Sequence, residues 1–245
     1  MNLTSNYEFT IVVPIYNEAD NIDNLEKAFV SYLEHAPRKT CVLFVNDGSK
    51  DASLKYLKRI CAINRHFYYI SFVKNAGLSA AIKAGFDYTE SPLVGYMDAD
   101  LQTTPEDFNL LLAHIDKNSM VIGIRADRKD SFFKNLQSKI ANSFRRMMTD
   151  DGALDTGCPL KVFKTDVAKR IPLFKGMHRF FPALVLLQDG ARYKQIPVRH
   201  FPRTAGTSKF NIWNRLIGPF EDCFAYRWMR PRYINYKVGD NNISE

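Results

Sequence analysis

Two carboxylates and a carboxamide follow an apolar run near the middle of the chain. The run Leu93–Met97 is predicted to be a buried strand, and Asp98, Asp100 and Gln102 come directly after it. In an extended segment these three alternate side chains face one side. Oxygen ligands suit Mg²⁺ or Mn²⁺, which share their remaining positions with phosphate oxygens. The spacing therefore predicts a divalent-metal site, and the alternative is a solvated acidic loop that caps the next helix.

The residues after this cluster favour a helix. Thr104 is a typical N-cap, Pro105 suits the first helical position, and Glu106 and Asp107 suit the first turn. The predicted order is therefore strand, oxygen cluster and helix. Ligands of open α/β sheets bind outside the carboxyl ends of strands, which is where this order places the cluster.

Two earlier strands are also predicted to end in polar turns. The run Phe9–Pro14 leads into Ile15–Glu18, and the run Cys41–Val45 leads into Asn46–Asp51. In a parallel sheet the carboxyl ends of the strands meet at one edge, so all three turns should lie together. Acidic groups there can hydrogen-bond the base and ribose of a sugar nucleotide while a metal holds the diphosphate.

Strands alternate with helices along the first half of the chain. Further strands are predicted at Phe67–Phe72 and Met120–Ile124, and helices at Leu25–Glu34, Leu54–Ile60, 80–88 and 105–116. One more strand, Arg192–Pro197, is predicted in the second half. This alternation predicts an α/β fold with a mainly parallel sheet. There is no G-x-G-x-x-G after the first strand and no Walker A lysine motif, which disfavours dinucleotide oxidoreductases and P-loop NTPases.

The composition is that of a globular domain with an uneven charge. The 245 residues are 46% hydrophobic and 24% charged, which is typical of one α/β domain or of one with a small appendage. Residues 1–110 carry a net charge of −4 and residues 111–245 one of +12. An anionic partner, whether a polyanion, a phosphate or a membrane surface, is therefore expected to bind the second half.

Nothing in the sequence predicts a membrane span or a disulfide framework. No apolar run approaches the ~20 residues that cross a bilayer, and the N-terminus lacks the pattern of a signal peptide. The four cysteines, Cys41, Cys61, Cys158 and Cys223, are far apart. We therefore expect reduced thiols in a cytosolic protein.

Four motifs, in order along the chain, resemble those of family 2 glycosyltransferases of the GT-A fold. They are Val13–Glu18, Val45–Asp51, Asn75–Leu78 and Asp98–Gln102. The last, Asp-Ala-Asp-Leu-Gln, is similar to the polyprenyl-phosphate sugar transferases, the group that contains dolichyl-phosphate mannose synthase. Asn46 stands where many members have Asp. The resemblance implies a Rossmann-like sheet and seven nucleotide-binding residues: Pro14, Tyr16, Glu18, Asp47, Gly77, Asp98 and Ala99.

The resemblance extends to the acceptor side of the site. Arg125 resembles the family arginine that meets the acceptor phosphate, and Lys134 and Ser138 resemble its Arg-x-x-x-Ser pair, with Lys in place of Arg. Asp155, in the motif Asp155–Lys161, resembles an aspartate that lies near the sugar and acceptor. The alternatives are a solvated basic helix face for Lys134 and an Asx turn for Asp155.

A basic loop follows the last predicted strand. Arg203, Ser208 and Lys209 offer charge, a hydroxyl and backbone N–H groups to a diphosphate. They resemble the family's Arg-x-x-Gly-x-Ser-Lys loop, which closes over the donor. His178, in an aromatic and basic stretch, is a possible base by type, but an ordinary packed histidine is the favoured interpretation.

The chain is predicted to divide into a GT-A domain, residues 1–210, and an amphipathic basic extension, residues 211–245. Apolar residues from Trp213 to Phe224 are placed on one face of a helix at 211–229, and residues 192–232 carry a net charge of +7. Aromatic and arginine side chains together suit a membrane interface. Packing of this helix on the core of the domain is the alternative.

These observations predict an inverting, metal-dependent glycosyltransferase. It would move a sugar from a GDP- or UDP-sugar to a polyprenyl phosphate, at the cytoplasmic face of a membrane, where a membrane protein could be a further partner. One alternative is the same fold acting on a sugar hydroxyl, with Asp155 as general base. Another is a basic nucleic-acid-binding module, but no recognition motif supports it and nucleic acid is not an expected partner. The sequence does not specify the base or the sugar of the donor.

Overall fold

The computed structural model describes residues 3–125, 143–202, 212–236 and 238–240, with only the backbone for 3, 212–217 and 219. Its centre is one sheet of seven strands in the order β3-β2-β1-β4-β6-β5-β7. The strands are β1 Phe9–Ile15, β2 Thr40–Asn46, β3 Phe67–Ser71, β4 Leu93–Tyr96, β5 Met120–Arg125, β6 Lys161–Lys164 and β7 Tyr193–Val198. The predicted strands are confirmed to within a residue or two at their ends.

The sheet is parallel except at one strand. β6 runs antiparallel to both of its neighbours, β4 and β5, and Lys161 is in register with Tyr96 and with Ile122. All other pairings are parallel. The expected mainly parallel sheet is thus confirmed. Because β6 is reversed, its first residue lies at the edge where the parallel strands end.

Helices cover both faces of the sheet. They are α1 Ile22–Leu33, α2 Ser53–Ile63, α3 Leu78–Asp87, α4 Phe108–Ile115, α5 at 143–149, α6 Thr165–Lys169, α7 Phe181–Val185 and α8 Ile212–Met229. Alternate residues of β1 contribute to opposite cores: Ile11 and Val13 pack with α1, α2 and α4, whereas Val12 packs with α3 and α7. A strand that is buried on both faces has a continuous apolar sequence, which is why the strands could be predicted from apolar runs.

The helix predicted after the oxygen cluster begins as expected but is capped differently. Thr104 is extended and precedes a short 3-10 helix, Pro105–Asp107, that runs into α4. The Thr104 side chain makes no capping hydrogen bond; its carbonyl accepts from the N–H of Asp107 instead. The predicted position is therefore right, but the expected side-chain cap is absent.

Helix α8 has two different faces. Cys223, Tyr226 and Met229 are buried in the core shared with α7, whereas Phe224 and Trp228 are exposed. The prediction that put Cys223 and Phe224 on one face is therefore wrong, because adjacent residues point about 100° apart on a helix. Core packing and an exposed aromatic stripe coexist on this helix.

Within the described part of the chain, no helix has both the length and the apolar character needed to cross a bilayer. The four cysteines are free thiols; three of them are buried and Cys61 is half-buried.

Candidate active site

A pocket of about 330 Å³ lies at the carboxyl ends of β1, β2 and β4. Its walls come from the turns after these strands and from the start of α3. The lining residues are Pro14, Ile15, Tyr16, Glu18, Asp47, Asn75, Gly77, Leu78, Ala81, Asp98, Ala99 and Asp100. All seven predicted nucleotide-binding residues are among them. They span 86 positions of the sequence, from Pro14 to Ala99, and the fold brings them to one pocket.

Asp47 holds one wall of this pocket in place. Its carboxylate accepts hydrogen bonds from the backbone N–H groups of Ala76 and Gly77, at 2.7 and 2.9 Å, and from Nδ2 of Asn75 at 2.7 Å. Only 3% of Asp47 is exposed. Asp47 therefore shapes the loop that carries Gly77, in addition to facing the pocket.

A second set of hydrogen bonds joins the turns after β1 and β2. The backbone N–H of Asn17 donates to Ser49 Oγ at 3.0 Å, and the N–H of Lys50 donates back to Asn17 Oδ1 at 2.8 Å. Asn17 has a φ of 52°, a conformation that costs a non-glycine residue about 1 kcal/mol or more. The turn that carries Tyr16 and Glu18 is thus fixed by its neighbour.

The oxygen cluster does not continue the strand. β4 ends at Tyr96, residues 99–100 form a turn, and Leu101 has a φ of 52°. The expected alternation of an extended segment is therefore wrong. Asp98 and Asp100 reach the pocket through the turn, whereas Gln102 is not among the lining residues. The backbone carbonyl of Gln102 accepts a hydrogen bond from the backbone N–H of Phe201, at 2.9 Å.

Asp98 and Asp100 form a pair of carboxylates that a cation would stabilise. Burial and the charge of Asp100 raise the pKa of Asp98 to about 6, although Tyr96 donates to Asp98 Oδ1 at 2.5 Å. Among the described residues no three His, Cys, Asp or Glu side chains surround a common metal position. Two carboxylates are nevertheless a fitting donor set for Mg²⁺ or Mn²⁺, which complete their shell with phosphate oxygens and water.

Arg125 and Asp155, predicted separately, form a bidentate ion pair beside this cluster. Nε and Nη2 of Arg125 each donate to a carboxylate oxygen of Asp155 at 2.8 Å. The backbone N–H of Arg125 adds a third bond to Asp155, at 3.2 Å. The side chains are 16% and 12% exposed, so water screens the pair only weakly. The positive charge of Arg125 also favours the ionised form of Asp98.

The ion pair decides what Asp155 can do chemically. Burial opposes its ionisation, but the hydrogen bonds and charge of Arg125 outweigh burial, and the pKa of Asp155 lies below its usual range. A general base works best with a pKa near the operating pH. Asp155 is therefore a weak base in this conformation, and it orients the Arg125 guanidinium instead.

Comparison with known proteins identifies the family. The model of the family Glycosyl transferase family 2 matches residues 10–171, which is about two thirds of the chain. The chain belongs to glycosyl transferase family 2. A dodecaprenyl-phosphate galacturonate synthase of Rhizobium johnstonii is 32% identical over 213 residues, 84% of this chain and 62% of the relative. An undecaprenyl-phosphate 4-deoxy-4-formamido-L-arabinose transferase of Edwardsiella ictaluri is 31% identical over 83% of this chain and 63% of the relative.

The family 2 chain spans less than two thirds of the length of these curated relatives. Solved structures share its fold at low identity. A mannosyltransferase of Pyrobaculum calidifontis in complex with GDP-Man and Mn²⁺ has a TM-score of 0.65 at 18% identity, over 89% of this chain and 64% of the other. Glucosyl-3-phosphoglycerate synthase of Mycobacterium tuberculosis, with Mn²⁺ and UDP, has a TM-score of 0.67 at 12% identity, over 96% and 84%. The GT-A fold expected from the motifs is confirmed.

Five predicted residues of the family 2 site lie outside the described residues: Lys134, Ser138, Arg203, Ser208 and Lys209. Their roles stay predictions. Arg199, just before the basic loop, is described, and its guanidinium pairs with Asp107 at 2.7 Å. This pair ties the end of β7 to the start of α4, next to the oxygen cluster.

Sequence reasoning gave no role to several residues that the fold brings to this site. Ile15, Asn75, Leu78 and Ala81 line the pocket, and three of the four lie inside the motifs or next to them. Lys161, the last residue of the Asp155 motif, is buried nearby. His178 is a packed histidine, as the favoured interpretation held: its Nδ1 lies 2.7 Å from Ser79 Oγ, and burial lowers its pKa to about 3.

Proposed function

We propose that this chain transfers a sugar, with inversion, from a nucleotide-diphosphate donor to the phosphate of a polyprenyl phosphate. The observation that carries the proposal is the Arg125–Asp155 ion pair beside the carboxylate pocket. It offers a positioned cation, and it holds the pKa of Asp155 too low for an effective general base. That combination suits an acceptor that is already an anion, and the curated relatives are named for such acceptors.

The acceptor step follows from charge. A phosphate monoester carries its nucleophilic oxygen as an anion near neutral pH, so attack needs orientation and partial neutralisation, not deprotonation. Arg125, held by Asp155 in a fixed plane, can present its remaining N–H donors to two phosphate oxygens. Lys134 and Ser138 would complete this acceptor site.

The donor half uses the pocket. Tyr16, Glu18 and Asp47 would contact the base and ribose, and Gly77 would let the backbone approach the nucleotide closely. Asp98 and Asp100 would hold a Mg²⁺ or Mn²⁺. When bound, that ion would neutralise charge on the departing nucleotide diphosphate. Arg203, Ser208 and Lys209 would close over the diphosphate.

A peripheral contact with the cytoplasmic face of a membrane would bring the lipid acceptor to this site. The exposed aromatic residues Phe220, Phe224 and Trp228 recur every four positions along α8. The Arg232 guanidinium lies 4.7 Å from the Trp228 ring centroid. Aromatic and arginine side chains in such an arrangement suit the interface of an anionic leaflet.

The proposal is tested with the purified protein, a panel of UDP- and GDP-sugars, and either Mg²⁺ or Mn²⁺. Undecaprenyl phosphate in detergent is the acceptor, and transfer is followed as sugar that partitions into organic solvent. Undecaprenol, which lacks the phosphate, is the matched control and should accept no sugar, because its hydroxyl would need a base. The anomeric configuration of the product checks inversion.

The competing function is transfer to a sugar hydroxyl, with Asp155 as the base. It would require Asp155 to leave Arg125, since the ion pair holds its pKa low. Transfer to soluble glycans or to undecaprenol, without transfer to undecaprenyl phosphate, would support that function and contradict ours.

A further inference from the structure

Lys161 is a buried cation that the proposed chemistry does not use. It is 2% exposed, and within the described part of the chain no carboxylate lies at ion-pair distance from its ammonium. Burial lowers the pKa of Lys161. A buried charge without a close counter-ion costs several kcal/mol, so such a residue is usually retained for function.

The contacts of Lys161 lead to both halves of the site. Its Nζ donates to the backbone carbonyl of Cys158, inside the loop that presents Asp155 to Arg125. The same Nζ lies 5.5 Å from the centroid of the Tyr96 ring. The Tyr96 hydroxyl in turn donates to Asp98, at 2.5 Å.

The reversed strand β6 creates this arrangement. Because β6 starts at the edge where β4 and β5 end, its first residue is in register with Tyr96 and with Ile122. The Phe181 ring covers the ammonium from the α7 side, with its centroid 5.8 Å from Nζ. Lys161 therefore lies between two aromatic rings, close to the turn that carries Asp98 and to the loop that carries Asp155.

We propose that Lys161 is a positioning residue that couples the two halves of the site. Through Cys158 it fixes the loop that holds Asp155 against Arg125, and through Tyr96 it fixes Asp98 at the donor pocket. Lys161 itself touches neither substrate. This inference rests on the proposed function for the roles of the two halves and for the expected change in the KM of the acceptor.

Lys161→Met keeps an unbranched side chain of nearly the same length but removes its charge and its N–H donors. We expect the dissociation constants of Mn²⁺·UDP or Mn²⁺·GDP, and the KM for undecaprenyl phosphate, to rise by about 10- to 100-fold, the usual effect of losing a supporting partner of a site. Lys161→Arg, which restores charge and donors, should recover much of both losses. Lys164→Met, at the opposite end of the same strand, is the matched control and should change neither, because Nζ of Lys164 donates to the carbonyl of Asp116, away from the pocket.

A readout independent of turnover separates this inference from the proposed function. The Nε–H signal of Arg125 in ¹H–¹⁵N spectra, assigned by its absence in Arg125→Lys, should exchange with water faster in Lys161→Met than in the wild type. The faster exchange is expected even if the protein transfers no sugar to a lipid. A folded Lys161→Met protein with an unchanged Arg125 signal and unchanged nucleotide affinity would overturn the inference. If Lys161→Met does not fold, Lys161→Gln takes its place under the same two criteria.

Discussion

Asp98, which we propose as a metal ligand, shows at the residue scale how burial and a neighbouring charge change the pKa of a carboxyl group. Its raised pKa results from burial and from the charge of Asp100, and the hydroxyl of Tyr96 only partly offsets them. A carboxylate held in this way binds a proton tightly in the folded protein. A divalent cation and that proton therefore compete for the same oxygens.

This competition predicts a pH dependence of metal binding. Mn²⁺ affinity, measured by titration calorimetry, should be nearly constant above about pH 7 and fall about tenfold per pH unit below about 6, where Asp98 is protonated. The folded protein binds this proton more tightly than the unfolded chain, so ionisation of Asp98 should lower apo stability as the pH rises from about 3.8 to about 6. Asp98→Asn should abolish both effects, and a pH-independent affinity would contradict the assignment.

The Arg125–Asp155 pair gives a second prediction at this scale. Asp155→Asn removes one partner of a mostly buried ion pair, so the free energy of unfolding should fall by about 3 kcal/mol. Turnover should fall mainly through a higher KM for undecaprenyl phosphate, because Arg125 loses its orientation. Chemical denaturation and steady-state kinetics measure the two effects. A loss confined to kcat, with a changed pH profile, would instead indicate that Asp155 is a base.

At the scale of elements, the pocket depends on how closely the turn after β2 approaches the turn after β3. Gly48 has a φ of 62°, and a Cβ there would lie 2.5 Å from the backbone N of Asn75. The same two turns are joined by the Asp47 hydrogen bonds. A side chain at residue 48 would therefore push away the segment that carries Gly77.

Gly48→Ala should weaken the binding of UDP or GDP by at least tenfold and destabilise the fold by more than the ~1–2 kcal/mol that a positive φ costs alanine. Gly190→Ala is the matched control. Gly190 also has a positive φ, 71°, but a Cβ there would meet nothing within 4 Å. The difference between the two variants, measured by denaturation and nucleotide titration, isolates the steric contact. Equal losses of stability and of nucleotide affinity in the two variants would contradict the prediction that the close approach of the two turns shapes the pocket.

At the scale of the whole molecule, one part of the surface combines exposed aromatic side chains with arginines. The face covered by α5 and α8 presents an aromatic group in which Phe144 stacks on Phe220, with ring centroids 5.0 Å apart. Phe224 packs against Phe220 and is still about half exposed. Arg227, Arg230 and Arg232 lie at the end of α8 and directly after it, and arginines beside exposed aromatic side chains are the kind of surface that an anionic membrane would attract.

We predict salt-sensitive binding to anionic vesicles through this face. Phe224→Ser combined with Trp228→Ser, or conversion of Arg227, Arg230 and Arg232 to Glu, should reduce sedimentation with the vesicles by about tenfold or more. The reason is that each basic residue near the leaflet contributes about 1 kcal/mol and aromatic burial adds to it. Transfer to the acceptor in detergent should largely survive. Ile63→Ser, at an exposed apolar position on α2, is the control. Loss of binding in that variant too would argue against a specific face.

The sequence by itself determined the parts of the molecule that depend on neighbours in the chain. Apolar runs identified the strands, and the polar turns directly after them identified most residues of the pocket, because the carboxyl ends of parallel strands must meet. The motifs also determined the family. These signals are local, so periodicity and spacing were enough.

Only the tertiary structure decided how distant residues are combined. It placed Asp155 on Arg125, 30 residues away, and so changed a candidate base into an orienting partner. It replaced the expected alternation after Tyr96 with a turn, and it reversed β6 so that Lys161 lies against Tyr96. The physical reason is that charge pairing, burial and strand direction depend on contacts across the sheet, and neither residue type nor spacing specifies those contacts.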